Sequence, residues 1–464
     1  MKRLLMHKNK MVAKFDCSNF YVKNIEIVNG ILMPFIVTDN EKTNNAAFLD
    51  WKKSRPKPCM PQNFTNPILS QIGQTYEDIS DFICASLTDC YWFKPENLEI
   101  KWEDVNYFKN KIIDNQNIIK IEDKIHKYTD STKYLQKVFD KNKTYRRFIK
   151  YFTLDTEGDY CIVKTCDVCN NGLDVFNEVI GNILEEALDI EGAQYYIYPY
   201  NFECEGNIYN IPLAVCKLFI QDDTKEMVTL SSLSKIGDLS SFNTYEYLVS
   251  LGFKEELNKM IVLDYLLLNP DRSFDNMAII RDSETLTFKN LAPIYDCGAA
   301  FNYFGNQTEN DDTDYSLPFL KRHSRQIELV DDFSFVDFEA LDEAIETVDA
   351  LISYSALSSV QKEKIIKTLT ERIDSLKNII LNKENTTQNS VRIVRAADKI
   401  NKRFDVEAII KFTGIDPIIS QDPGHLFINY LSLDGKKEFA QFQTDNPNLK
   451  ERFDNFKKDT LCLL

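Results

Sequence analysis

The sequence predicts an α+β protein. A β-containing N-terminal region comes first, a unit mixing strands and helices follows, and a mostly helical part comes last. Three observations point there. Short strand-like runs bounded by turn residues crowd the first half, and helical periodicity takes over from Thr244 onward. The 464 residues are 44% hydrophobic and 27% charged, the composition of a folded chain rather than a disordered one. At roughly 100–200 residues per domain, that length makes two to four domains.

Taken in order, residues 24–28 and 31–37 read as strands, with Asn29-Gly30 between them as a hairpin turn. All three tryptophans (Trp51, Trp92 and Trp102) fall in the first 110 residues. A polar stretch, 109–140, bridges to the next unit. There 148–154 and 160–165 read as strands joined by the turn Asp155-Thr156-Glu157-Gly158. Residues 173–190 carry apolar side chains near helical spacing, and 195–200 and 213–220 read as further strands. Residues 254–268 form a strong helix that stops at Asn269-Pro270, because proline keeps the preceding residue out of the helical region. Residues 359–381 form another, with Val360, Ile365, Ile366, Leu369, Ile373, Leu376 and Ile380 as its apolar face. The polar run 383–390 breaks that pattern and reads as a linker. The implied domains are 1–110, 111–222, 223–385 and 386–464.

Composition excludes several function classes. Asp plus Glu outnumber Lys plus Arg by 71 to 55, for a net charge of −16, so direct nucleic-acid binding is not expected. No run of about 18 uncharged apolar residues offers a membrane span. The 14 glycines include no Gly-x-Gly, which removes the dinucleotide fingerprint and the Walker A loop together. His7, His126, His323 and His425 are too far apart for a zinc helix. Eleven cysteines without a signal peptide imply a reduced, cytoplasmic protein whose cysteines mostly fill the core.

The chemistry lies in three pieces. After the helix ending at Leu268, the loop Asn269-Pro270-Asp271-Arg272-Ser273-Phe274-Asp275-Asn276 places a carboxylate and, five residues on, an amide. Kinase-type phosphoryl transfer needs such a loop, with an Asp to orient and deprotonate the attacking hydroxyl and an Asn to hold a metal. An Asn-Pro-Asp turn is the plain alternative. Further on, an apolar run ends in Asp296-Cys297-Gly298, the Asp-x-Gly setting of a second metal-binding carboxylate. Upstream, Cys161-Ile162-Val163-Lys164 puts a lysine in a β-branched strand. A phosphate-contacting lysine needs a helix glutamate: Glu178 is the natural partner, with Glu185 and Glu186 open on the same helix. The alternative for Lys164 is an edge-strand surface residue. The extended segment 213–219, with Cys216 and Leu218, stands where backbone groups would bind adenine.

On these residues the chain resembles the HipA-like serine/threonine protein kinase family. The likeness covers roughly 148–330 and is strongest over 264–301, where Asn269-Pro270-Asp271-Arg272-Ser273-Phe274-Asp275-Asn276 and Ala292-Pro293-Ile294-Tyr295-Asp296 match its two motifs. Weaker similarity to clostridial members lies around Leu49-Asp50-Trp51 and Ser86-Leu87-Thr88-Asp89-Cys90-Tyr91-Trp92. The resemblance implies a bilobal kinase-like fold, ATP with Mg²⁺, a protein Ser/Thr acceptor and an antitoxin-like partner. It makes Asp271 the base, Asn276 and Asp296 the metal ligands, and Lys164 the phosphate-contacting lysine.

Two departures stand out. Ser273 occupies a position where the family often has histidine, and no glycine-rich loop precedes Lys164. Lys141, Lys143, Arg146 and Arg147 stand there instead, and Lys143 and Arg147 would meet phosphate through side chains. A non-catalytic nucleotide-binding protein and a small-molecule phosphotransferase stay open as other readings. Cys166 and Cys169 form a CxxC without further ligands nearby and read as loop cysteines. The acidic run 305–316 reads as solvated loop or as a phosphate-carrying segment.

Overall fold

The computed structural model describes residues 2–18, 21–35, 37–55, 83–110, 150–167, 170–204, 207–237, 241–301 and 314–400. The chain divides into two compact units, Met1–Ile373 and Asp374–Leu464. The fold is mixed, with antiparallel sheets and helices.

In the first unit, β1 (Lys2–His7), β2 (Lys10–Ser18) and β3 (Tyr21–Ile27) precede α1 (Glu41–Ser54) and β4 (Tyr91–Pro95). They make an antiparallel sheet in the order β3-β2-β1-β4. Alternation sorts the side chains between its faces. Leu4, Met6 and Trp92 enter one apolar cluster, while Leu5, Tyr91 and Phe93 enter another with Phe48 and Trp51 of α1. Both faces are therefore covered.

The hairpin expected at Asn29-Gly30 is not formed. The tight turn lies at Lys8-Asn9, where Lys8 takes a positive φ of 50°. Gly30–Leu32 is instead a 3₁₀ turn closed by Met33 N–H to Gly30 C=O (3.2 Å), and no described residue of 31–37 is a strand. Short helices α2 (Trp102–Val105) and α3 (Tyr107–Asn110) follow.

The second sheet is built from β5 (Lys150–Leu154), β6 (Tyr160–Thr165), β7 (Tyr195–Cys204) and β8 (Asn207–Lys217), in the order β5-β6-β8-β7. Helix α4 (Leu173–Ala187) packs on β7 and β8. Then come β9 (Lys225–Thr229), α5 (Leu230–Gly237), α6 (Ser241–Ser250) and α7 (Lys254–Leu267). Next are β10 (Ala278–Asp282), β11 (Phe288–Leu291), α8 (His323–Gln326), α9 (Phe338–Ser353) and α10 (Ser359–Ile400). A third sheet has the order β11-β10-β9. Of its strands only β11 falls in a run read as extended, the apolar run before Asp296; β9 and β10 were not anticipated, because they are short and lie among helices.

Helix α7 is buried nearly all round, from Leu257 to Leu267, and ends where Leu268 turns left-handed (φ 46°) before Asn269-Pro270. Helix α10 runs unbroken through 383–390, because that polar run holds neither proline nor glycine to stop it. Val360, assigned above to its apolar face, is 72% exposed, whereas Ile365, Leu369, Ile373 and Leu376 are buried. The described part of the second unit is the portion of this helix from Asp374 onward.

One buried carboxylate ties the first sheet to the third. Glu226 Oε1 accepts from His7 Nε2 (2.8 Å) and Cys90 N–H (2.8 Å), and Oε2 accepts from Arg281 Nε (2.7 Å). Burial alone would raise the Glu226 carboxyl, but the His7 hydrogen bond and the Arg281 charge outweigh it and lower it to about 2. Its stabilisation is complete above the ordinary value of 4.5 and is lost as pH falls through about 2. Glu226→Gln should cost roughly 3–5 kcal/mol at neutral pH, since it leaves the largely buried Arg281 guanidinium without its counter-charge. Denaturant unfolding across the acid range should show the two proteins converging as wild type loses this contribution. A constant difference down to the lowest pH would contradict the assignment.

Candidate functional site

Lys164 lies on β6, whose neighbours β5 and β8 flank it on both sides, and its side chain is buried. Its Nζ donates to Glu178 Oε1 of α4 at 2.5 Å and to Asp296 Oδ1 at 2.8 Å, and lies 4.5 Å from the Tyr195 ring centroid. Of the three candidate glutamates, Glu178 is the partner. Glu185 is buried elsewhere, its carboxyl pushed up to about 8 by burial, and Glu186 is exposed.

Lys150 faces Lys164 directly in the β5–β6 register, and its Nζ donates to Asp296 Oδ2 at 2.6 Å. Two like charges opposite each other repel; Asp296 between them removes the conflict. Burial would lower the Lys164 ammonium, yet Asp296 and Glu178 hold it well above its usual range. Burial would raise Asp296, yet Lys164 and then Lys150 hold it well below the carboxylate range. Lys150 was missed in the sequence. Counting residues outward from the 155–158 turn places it opposite Lys164, which is the signal that finds it.

Asp296 follows β11 with φ 65°, a left-handed backbone that brings its carboxylate under Lys164. The residues after it close on α4. Cys297 N–H donates to Glu178 Oε2 at 2.9 Å, and Asn177 Nδ2 donates to the Gly298 and Ala300 carbonyls at 3.0 Å each. A Cβ on Gly298 would stand 2.9 Å from Glu178 Oε1 and 3.3 Å from the Asp174 carbonyl, so this position has room only for glycine.

The loop after α7 hangs on a buried ion pair. Asp264 is on α7 and Arg272 is in the loop; Arg272 Nε meets Asp264 Oδ2 at 3.0 Å and Nη2 meets Oδ1 at 3.0 Å. Arg272 Nη1 also donates to the Asn276 carbonyl (3.3 Å) and to the Tyr295 carbonyl. Asn269 Nδ2 donates to Asp264 Oδ1 (3.0 Å), and its Oδ1 accepts from Asp271 N–H (3.1 Å). This anchor joins the two sequence motifs. A lone carboxylate in the apolar run Val262-Leu263-Asp264-Tyr265-Leu266 was its signal.

Lys150, Lys164, Glu178, Asp271, Asn276 and Asp296 line one cavity of about 420 Å³. The Asn276 Nδ2 donates to the Asp271 carbonyl at 2.7 Å. Partial burial first, then the Asp296 charge, raises the Asp271 carboxyl. A larger cavity, about 570 Å³, shares Asn276 but contains none of Lys164, Glu178, Asp271 or Asp296. The charged groups therefore assemble in the smaller one.

Cys216 and Leu218 are not on its wall; Ala214 of the same strand is. Cys216 lies inside β8, opposite Ile162 and Tyr195, and the Leu218 N–H already donates to the Tyr160 carbonyl at 2.8 Å. That N–H is therefore engaged within the fold. Lys143 and Arg147 lie outside the described residues, as do Cys169 and most of 305–316. Asp155, Glu157 and Asp159 cluster closely enough to share a cation, but Lys217 Nζ contacts all three at 3.1, 2.6 and 3.1 Å.

No family model matches the chain, and no curated protein matches it. Among solved structures it is similar to the Helicobacter pylori proinflammatory kinase CtkA. That match has 20% identity and a TM-score of 0.36, covering 52% of this chain and 98% of that one. It is also similar to the Shewanella oneidensis MR-1 toxin–antitoxin complex of HipA, HipB and operator DNA. There the identity is 9% and the TM-score 0.40, covering 80% of this chain and 97% of that one. Both TM-scores are low, and neither likeness by itself assigns this chain a fold or an activity. No helix among the described residues is long and apolar enough to cross a membrane.

Asp264→Asn keeps the shape of the anchor but leaves the Arg272 guanidinium buried without counter-charge. The expected loss is roughly 3–5 kcal/mol of unfolding free energy, read by chemical denaturation. A loss under about 1 kcal/mol, the range of exposed pairs, would show that the pair does not hold the loop.

Proposed function

We propose that this chain is a HipA-like protein kinase that transfers the γ-phosphoryl group of ATP to a serine or threonine hydroxyl of a protein. A bilobal kinase-like arrangement belongs to the same proposal. The observation that carries it is the buried Lys164–Glu178–Asp296 ion cluster on the same cavity as Asp271 and Asn276. Phosphoryl transfer is catalysed mainly by positioning and charge neutralisation, and this cavity offers fixed cations, an available base and oxygen ligands. The protein acceptor rests on the sequence resemblance, since the same parts serve smaller acceptors.

Lys164 meets phosphate oxygens as a charge already fixed in place, so little reorganisation accompanies the reaction. Asp271 accepts the proton of the acceptor hydroxyl. The acceptor oxygen forms its bond to the γ-phosphorus as the bond from that phosphorus to the β,γ-bridging oxygen breaks, and the electron pair leaves with ADP. The raised carboxyl of Asp271 makes it a better proton acceptor than an ordinary aspartate.

The donor set fits Mg²⁺ once Lys150 gives up Asp296 Oδ2, because in this structure Lys164 holds Oδ1 and Lys150 holds Oδ2. The Asp296 carboxylate and the Asn276 amide are hard oxygen ligands on one cavity, and magnesium is usually held by one or two carboxylates together with substrate phosphates. Asn276 and Asp296 would hold it, and when bound it supplies neutralisation of phosphate charge.

Asp271→Asn keeps size and polarity but cannot take the proton. The rate of transfer should fall by about 10²–10⁴-fold while the melting temperature stays near wild type. Phosphate incorporation from labelled ATP measures the first, and scanning calorimetry the second. Retained turnover would remove Asp271 from the base role.

A further inference from the structure

The charges facing the cavity do not all find partners within it. Glu178 and Asp296 are neutralised by Lys164, and Asp296 also by Lys150. Asp174 is buried, accepts a hydrogen bond from Asp167 N–H at 3.0 Å, and has its carboxyl pushed up to about 7 by burial. Asp271 serves as base in the proposed reaction. Asp275 remains. Its carboxylate lines the same cavity and is exposed at its rim. Among the described residues nothing pairs with it; only its backbone carbonyl is engaged, by Tyr295 Oη at 3.1 Å.

Asp275 is not on a loose loop. It is the middle residue of the 3₁₀ turn Phe274–Asn276, where Asn276 N–H donates to the Ser273 carbonyl at 2.9 Å. Phe274 packs against Phe319, with ring centroids 6.3 Å apart. The Asn276 side chain ties this turn back to the Asp271 carbonyl. Asp271 and Asp275 are thus held on one rim by the same short segment. An extended acceptor chain advances about 3.3–3.6 Å per residue. Side chains next to a hydroxyl presented to Asp271 are therefore within a residue or two of the Asp275 segment if the acceptor runs along it.

We propose that Asp275 is a specificity-determining residue that selects acceptors carrying a lysine or arginine beside the phosphorylated hydroxyl. The inference rests on the kinase reading and adds the class of acceptor to it. The cavity wall carries a negative charge that no described residue answers, four positions along the chain from Asp271. The chain as a whole, at −16, repels acidic acceptors and attracts basic ones at longer range. A cation on the acceptor answers both.

The test uses the full chain with ATP, Mg²⁺ and two peptides that share one serine. One has arginines beside it, and the other has glutamines. Wild type should favour the basic peptide by about two- to five-fold in kcat/KM, the scale of a partly exposed ion pair, and the preference should lie in KM. In Asp275→Asn the ratio of the two kcat/KM values should fall to about one, and in Asp275→Lys it should invert. The position is exposed, so thermal melting should confirm that both variants fold. Equal use of the two peptides by wild type, or an unchanged ratio in Asp275→Asn, overturns the proposal. So does an equal rise in Mg²⁺ requirement on both peptides, which would make Asp275 a metal ligand. Transfer to neither peptide, with no ATP consumed, overturns the kinase reading itself and this inference with it.

Discussion

An ammonium taken out of water needs a carboxylate in contact, and much of the first unit is arranged to meet that need at Lys164. The uncompensated cost of burying such a charge is several kcal/mol. Compensation comes from two elements far apart in sequence, Glu178 on α4 and Asp296 after β11. Helix α4 must therefore dock close to the β5-β6-β8-β7 sheet, and the chain after β11 must turn sharply at Asp296. The left-handed φ of Asp296, the closeness of Gly298 to Glu178 and the bond from Cys297 N–H to Glu178 all follow from bringing three charged groups to one point. Sheet, helix and loop are interdependent because one charge is shared among them.

The second buried pair extends that constraint. Arg272 reaches from the loop after α7 to Asp264 and also to the Tyr295 carbonyl, next to Asp296. The Asp271 loop and the Asp296 carboxylate are thus registered against each other. This is what charge-neutralising catalysis requires: groups preorganised where charge will develop rather than recruited to it. Asp271, by contrast, lines the same cavity but is exposed.

Sequence legibility followed the type of signal. Helix α7 and strand β6 were readable because apolar periodicity and Asn269-Pro270 are local facts. Lys164, Glu178, Asp271, Asn276 and Asp296 could be listed from residue type and order, and they line one cavity. Lys150 and Asp264 were not read, because their importance depends on pairing across a hairpin and between a helix and the loop that follows it. Strands β9 and β10 were missed for a similar reason: five-residue strands gain their stability from partners distant in sequence. The Asn29-Gly30 turn misled because the dipeptide permits a hairpin without supplying a second strand to pair. Cys216 and Leu218 were placed by motif order alone; Cys216 pairs within the sheet, and Leu218, just past β8, bonds to the Tyr160 carbonyl.

The most direct test of the account is transfer of label from γ-labelled ATP by the purified full chain in Mg²⁺, compared with Lys164→Met and with chelator. The account predicts magnesium-dependent label on serine or threonine of a protein, lost in Lys164→Met. Nucleotide bound by wild type with no label moved to any hydroxyl, under conditions where the protein is folded, would contradict it.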